Sequence, residues 1–341
     1  MTRSRSRRTH KEAGGLRRLT FVCALCAALA ASAVCAAGQV QAVDGAGRRA
    51  DSGWITEHRV ADGDLWVEWF DGRATFEAKV RGQVEFAPDG TDIRAISQGG
   101  SVELTQKLGT TVRTFKATAH EGGDVSRQFD VSGVPGAASE SVWLASVLTD
   151  LLRNTGLDAQ TRVRSLYERG GATAVLREIS YSRSDRVKQL YYLELLKRPG
   201  ARAPERVSVM RQAAREIASD EVQGQLLNAA AGYYLHGTTA LAAYFKTLGT
   251  ISSDEERAAV LNTLLARPDL NAAALHHTVR AVGGLSSDEE KSKLLLAVLE
   301  RPHLTPSLNA LVGSVARRAM TDGEAQREVL DRVKKLSRAR R

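Results

Sequence analysis

Ser253-Asp254-Glu255-Glu256-Arg257-Ala258-Ala259-Val260-Leu261 and Ser287-Asp288-Glu289-Glu290-Lys291-Ser292-Lys293-Leu294-Leu295 are two versions of one segment, 34 residues apart. The same opening recurs as Ser184-Asp185, Ser219-Asp220 and Thr321-Asp322, so the five aspartates follow one another at spacings of 35, 34, 34 and 34. Seven residues beyond each Asp stand Tyr192, Leu227, Leu261, Leu295 and Val329, and three copies close on Arg-Pro: Arg198-Pro199, Arg267-Pro268 and Arg301-Pro302. A register held over so many positions is an internal repeat.

Each recurring feature has a mechanical reading. Ser or Thr before Asp caps a helix, its hydroxyl accepting from a first-turn amide, and each cap contributes about 1 kcal/mol. Ser253/Glu256, Ser287/Glu290 and Thr321/Glu324 have the spacing of capping boxes, and acids in the first turn complement the helix dipole. Arg-Pro ends the first helix of a unit; Asn271, or Thr305-Pro306 with Pro at its favoured first position, opens the second. Gly283-Gly284 closes it. One such pair cannot bury its apolar stripe alone, whereas stacked neighbours can. The length matches tetratricopeptide repeats, yet their Trp…Leu-Gly…Tyr pattern is absent. The expected domain is therefore a HEAT-like α-solenoid of helical pairs over residues 137–336. Its last helix, Gly323–Leu336, serves as a cap before a basic tail, 337–341. In Tyr191-Tyr192 and Tyr233-Tyr234 one ring is expected in the core and its neighbour on the outer surface.

Upstream the period changes to two. Ala74, Phe76, Ala78, Val80, Gly82, Val84 and Phe86 alternate with polar residues, as in a strand with one buried face. Gly82 marks a bulge or the turn between two shorter strands. Further strands are expected at Ile93–Ser97, Ser101–Gln106, Val112–Ala119 and Val125–Ser132. Asp71-Gly72, Pro88-Asp89-Gly90 and Gly99-Gly100 supply hairpin turns between them. No crossover helix fits, so residues 54–136 predict an antiparallel meander, and the fold class is α+β. Ser139 or Ser141 then caps a helix through Asn154 that turns Trp143, Leu144, Val147, Leu148 and Leu151 inward, with Gly156 as its stop. A pair of helices divided by Gly170-Gly171 follows.

The formal charge of +9 invites a nucleic-acid reading, but its distribution opposes one. Residues 1–18 hold seven basic side chains against Glu12, residues 334–341 hold five more, and the chain between carries a net charge of −2. No cluster of Lys and Arg within that body tracks phosphates. The basic start precedes Leu19–Gly38, twenty residues without a charge. Residues 1–42 are thus expected to be an export signal cleaved after Val40-Gln41-Ala42, with Ala33-Val34-Cys35 or Cys35-Ala36-Ala37 as alternative sites, or an uncleaved membrane anchor through 19–38; 43–53 form a flexible lead-in. Cys23, Cys26 and Cys35 all lie in that leader, so the mature chain needs no disulfide and uses no thiol chemistry.

No nucleophile–base constellation, phosphate-cradling loop or H-E-x-x-H helix is present. His276-His277 are adjacent and point to different faces, so no metal or cofactor is expected. The Ser-Asp pairs read as caps and not as catalytic groups. Trp54, Trp66 and Trp69 offer either a binding surface or ordinary strand packing.

Gly82-Gln83-Val84-Glu85-Phe86-Ala87-Pro88-Asp89-Gly90-Thr91-Asp92-Ile93, Ile96-Ser97-Gln98-Gly99-Gly100-Ser101 and Arg162-Val163…Gly170-Gly171…Val175-Leu176…Glu178-Ile179, with the recurring Ser-Asp, carry a resemblance. The chain resembles a family of bacterial envelope proteins in which a small β module precedes the same helical repeats. Some members are fused to, or associated with, BlaR/MecR-type zinc metallopeptidase receptors. The resemblance implies a sensory or regulatory accessory role, with any peptidase activity residing in a separate protein. From the residues themselves the leading expectation is a non-catalytic extracytoplasmic scaffold whose repeat surface recognises an envelope protein or peptide, with no nucleic acid and with membrane contact only through an uncleaved N-terminus; an enzyme is the remaining alternative.

Overall fold

The computed structural model describes the backbone of residues 55–59, 64–121, 123–133, 139–301 and 304–339, with side chains from 64 onward. The expected leader 1–42, lead-in 43–53, Trp54, the Val134-Pro135-Gly136 linker, Pro302 and Arg340-Arg341 lie outside the described residues. Among the described residues eight strands come first: β1 (Ile55–Arg59), β2 (Leu65–Phe70), β3 (Thr75–Arg81), β4 (Val84–Phe86), β5 (Ile93–Ile96), β6 (Ser101–Leu108), β7 (Thr111–Ala119) and β8 (Val125–Ser132). Eleven helices follow among the described residues: α1 (Glu140–Thr155), α2 (Ala159–Ile179), α3 (Asp185–Leu196), α4 (Ala203–Glu216), α5 (Asp220–Tyr234), α6 (Thr238–Leu248), α7 (Asp254–Ala266), α8 (Ala272–Val282), α9 (Asp288–Leu299), α10 (Pro306–Ala319) and α11 (Gly323–Arg338). The class is α+β, an antiparallel β module followed by a helical array.

Six strands form one antiparallel sheet in the order β1-β2-β3-β6-β7-β8, and β4-β5 form a separate hairpin. The expected continuous meander is therefore interrupted. At Gly82, φ is +74°, a conformation glycine adopts without steric cost, and the chain turns there out of β3 into the inserted hairpin. Period-two alternation sends Leu65, Val67 and Trp69, Phe76, Ala78 and Val80, Val102 and Leu104, and Phe115 and Ala117 to one buried face. Trp69 stacks on Phe76 with ring centroids 5.1 Å apart. Arg127 on β8 ties the hairpin to the sheet through Asp92 (2.9 Å).

α1 covers that face. Trp143, Leu144, Val147, Leu148, Leu151 and Leu152 share one core with the strands, separate from the core of the later helices. The inward residues follow the expected periodicity, and the first helix buries them on the sheet while also contacting α2 and α3. Gly156 ends it with φ +69°. α2 departs from helical geometry at Gly170 and Gly171, which divide it as the sequence predicts.

From α2 onward the helices alternate between two layers. α3, α5, α7, α9 and α11 pack one on the next, as do α2, α4, α6, α8 and α10. A continuous apolar core from Ala159 to Val329 lies between the layers. Tyr192, Leu227, Leu261, Leu295 and Val329, the residues seven beyond each repeat Asp, are all fully buried. Tyr191 is buried as well, because α3 is covered by α1 and α2 on one side and α5 on the other; the expectation that one ring of this pair faces outward is corrected. α11 runs to Arg338, so Ser337 and Arg338 of the expected tail are helical.

Candidate functional site

Ser184, Ser219, Ser253 and Ser287 stand at the N-caps of α3, α5, α7 and α9, where their hydroxyls accept from Val187 N (3.4 Å), Val222 N (3.3 Å), Glu256 N (3.2 Å) and Glu290 N (3.3 Å). The second half of the anticipated capping boxes is not formed. At Ser253 the cap N–H donates instead to Asp220 of the preceding repeat (2.8 Å), so Glu256 has no amide left to accept from.

This substitution is systematic. The outer oxygen of Asp185 accepts from Ala218 N (2.8 Å) and Ser219 N (2.9 Å); that of Asp220 accepts from Ser252 N (3.0 Å) and Ser253 N. Asp254 accepts from Ser286 N, and Asp288 from Thr321 N and Asp322 N (both 2.7 Å). Each carboxylate thus fastens the backbone that opens the next repeat. A cation three residues on occupies its other oxygen: Lys188 at 3.3 Å, Arg257, and Lys291 at 2.8 Å. The same cations donate to carbonyls at the end of the next second helix, Lys188 to Glu216 O (2.6 Å), Arg257 to Gly284 O (3.1 Å) and Lys291 to Ala319 O (2.6 Å). In the second unit Gln223 stands in the cation's place. The Lys291 ammonium and the two backbone N–H groups hold the Asp288 carboxyl well below the usual carboxylate range. Burial pushes the Asp254 carboxyl up, but its bonds from Ser286 and the Arg257 charge bring the net direction down.

The last copy differs. Asp322, not Thr321, is the N-cap of α11 and accepts from Glu324 N (2.8 Å) and Ala325 N (3.2 Å), while Thr321 Oγ1 donates to Asp288 (3.0 Å). This Asp serves its own helix. This gives a direct comparison. Asp220→Ala strands two amides that a carboxylate had satisfied and is expected to cost about 2 kcal/mol. Asp322→Ala removes only a cap and costs about 1 kcal/mol. Urea denaturation followed at 222 nm checks the order; equal losses would remove the inter-repeat role of Asp220.

The tryptophans divide. Trp69 is 2% exposed and sits in the sheet core, which rules it out as binding surface. Trp66 is half-buried on the opposite, solvated face, where its indole N–H donates to Glu77 Oε1 (2.9 Å) beside the Lys79–Glu77 ion pair. Lys79 and Trp66 are register partners across β2 and β3.

A charged cluster that the sequence does not disclose lies where α1 meets α2. Glu178 accepts from Arg162 Nη2 (2.5 Å) and from Arg153 Nε (2.7 Å) and Nη2 (3.2 Å), and both Arg162 and Glu178 are buried. Burial pushes the Glu178 carboxyl up, yet hydrogen bonds and charge from the two guanidinium groups outweigh it and hold it below its ordinary value. Arg153 also lies over the Tyr181 ring at 4.8 Å. The hairpin turn presses on Arg162: a Cβ at Gly90, where φ is +75°, would lie 2.0 Å from Arg162 Nη1. From the other side Arg183 Nη1 donates to Phe70 O (2.9 Å). The cleft lined by Arg153, Glu178, Ile179, Ser182, Lys188 and Tyr191 is filled by those side chains and leaves no room for a water molecule. Its charged groups are already paired, Glu178 with the two arginines and Lys188 with Asp185 and the Glu216 carbonyl, while Arg162 against Asp89 O and Arg183 against Phe70 O fasten the β module to the array.

Among the described residues no three His, Cys, Asp or Glu side chains come together as a metal-binding group, and no helix is long and apolar enough to cross a membrane. Comparisons with family models, curated proteins and solved structures return no match. The residue signals that sequence reasoning passed over were the cations three beyond Asp185, Asp254 and Asp288, which recur with the repeat.

Proposed function

We propose that this chain is a non-catalytic extracytoplasmic scaffold that recognises a protein or peptide along the surface of a HEAT-like helical array. The single observation that supports this reading is the aspartate ladder. It holds successive repeats in one register, so that outward-facing positions recur at fixed intervals over an extended surface. The side chains that most resemble catalytic groups are already engaged: the Ser hydroxyls as caps, the Asp carboxylates as inter-repeat acceptors, and Glu178 between two arginines. Export rests on the basic, then apolar, then small-residue order of residues 1–42.

The test is site-specific photo-cross-linking in cells of the full chain, with the probe placed at exposed array positions such as Ala242 or Ala310, or at Lys116 on the solvated sheet face. Adducts with a protein or peptide concentrated at the array positions are the expected result. An array that forms no such adduct overturns the proposal.

A further inference from the structure

The two layers of the array differ in charge. The first helices of the repeats open with acids, whereas α6, α8 and α10 contain no Asp or Glu at all. In α2, Glu178 is buried in the arginine cluster and Glu168, the exposed acid of that helix, lies beyond the Gly170-Gly171 break from Arg177; in α4 the two acids are bonded, Glu205 to Arg202 N (2.9 Å) and Glu216 to Gln212 (3.0 Å) and Ser180 (2.8 Å). Against this background Arg177, Arg211, Lys246 and Arg280 stand at spacings of 34, 35 and 34, one on each of α2, α4, α6 and α8. All four are exposed, and among the described residues none has an ion-pair or hydrogen-bond partner for its side chain.

Two hydrogen bonds show that Arg177, Arg211 and Lys246 are level with one another across the layer. Gln212, next to Arg211, donates to the carbonyl of Leu176, next to Arg177 (2.7 Å). Thr247, next to Lys246, donates to the carbonyl of Met210, next to Arg211 (3.1 Å). These three cations therefore form a row across the helices, and the repeat spacing with the packing of α8 on α6 carries it on to Arg280. In α10 the equivalent residue is Ser314, and the row ends. The residues three beyond the last three cations, Ala214, Gly249 and Gly283, are too small to screen them.

Packed helices lie about 8–10 Å apart, which sets the interval between the charges. A β-strand, with like-facing side chains about 6.7 Å apart, does not match that interval. A polyproline II chain does: three residues per turn at about 3.1 Å each bring every third side chain to the same side at roughly 9.3 Å. Resting on the scaffold reading above, we infer that the second-helix layer binds an extended acidic peptide in polyproline II conformation, with an acid at every third residue set against Arg177, Arg211, Lys246 and Arg280.

The test uses the full chain and fluorescence anisotropy with a labelled twelve-residue peptide, four copies of Pro-Pro-Glu. A second peptide has the same composition with its four glutamates adjacent, and a single-stranded oligonucleotide serves as competitor. The expected result is at least tenfold tighter binding of the periodic peptide, weakened further by raising the salt. Arg211→Ala/Lys246→Ala should lose at least tenfold, and Arg186→Ala/Arg327→Ala, two exposed cations of the other layer, should lose nothing. All four substitutions are on exposed helix positions, and unchanged thermal melts will show that each variant is folded. Equal binding of the two peptides, retained affinity in Arg211→Ala/Lys246→Ala, or an oligonucleotide that displaces the peptide at lower concentration than the peptide itself overturns the assignment. If peptide binding fails while array positions still cross-link to an envelope protein, acid recognition alone falls. If both fail, the scaffold reading falls with it.

Discussion

Replacing Glu178 by Gln is expected to destabilise the protein by about 3–5 kcal/mol, because it leaves a buried guanidinium without its counter-charge. Arg162 is 6% exposed and its Nη2 has no other carboxylate in reach of the bonds seen here; Arg153 is more accessible and loses less. Gln preserves the shape of the side chain, so the loss reports charge and not packing. Glu178→Leu combined with Arg162→Leu should recover most of it, since an apolar replacement of the whole pair removes the desolvation cost along with the attraction. The pH dependence has a definite sign. A carboxyl held below its ordinary value in the folded state contributes stability that is complete above about pH 4.3, the ordinary glutamate pKa, and is lost as the pH falls through the lower folded value. Urea midpoints measured between pH 7 and pH 3 should therefore fall less steeply in Glu178→Gln than in the wild type. A variant within 1 kcal/mol of wild type at pH 7 would falsify the structural account of the cluster.

Trp143→Ala should cost a similar 3–5 kcal/mol, the range for deleting a large buried aromatic side chain. The ring is buried against the sheet, meets Phe129 edge-on with centroids 6.2 Å apart, and its indole N–H donates to Gln106 Oε1 (2.7 Å). Truncation opens a cavity between α1 and the strands and leaves Gln106 unpaired. Trp143→Phe, which fills much of that space but still strands Gln106, should lose about 1–2 kcal/mol. The informative quantity is where the loss appears. Because α1 shares its core with the sheet, the damage should be largest in hydrogen exchange of β6, β7 and β8 and smaller in α5 to α9. Equal loss of protection throughout the array would place α1 with the repeats instead.

These two residues also mark what a linear reading could reach. The inward face of α1 follows from the spacing of Trp143, Val147 and Leu151, but periodicity says only that a face is buried and not what buries it. Glu178 lies 16 residues from Arg162 and 25 from Arg153, across Gly170-Gly171, so nothing local marks the three as a unit. The repeat caps were legible because Ser, its amide and its helix are neighbours in the chain. The second duty of each Asp was hidden because its partners are backbone amides 32–34 residues away, and a peptide group has no identity in a sequence. The row of cations escaped for a related reason. Charges one repeat apart do not read as a cluster until the helices that carry them are laid side by side. The β strands were set by alternation and turn glycines, while the inserted hairpin depended on the φ of Gly82, for which the sequence offered two readings.

The ladder has a consequence for how this protein can change length. Since Asp185, Asp220, Asp254 and Asp288 each grip the peptide groups of the unit that comes next, the contact specifies a position and not a partner. A splice that joins equivalent points of two units therefore keeps all remaining rungs, whichever unit is dropped or copied between them. Any cut out of that frame leaves one carboxylate facing the wrong atoms. Asp322, turned back on its own helix, is the one such residue among those described whose bonds carry no dependence on a following unit.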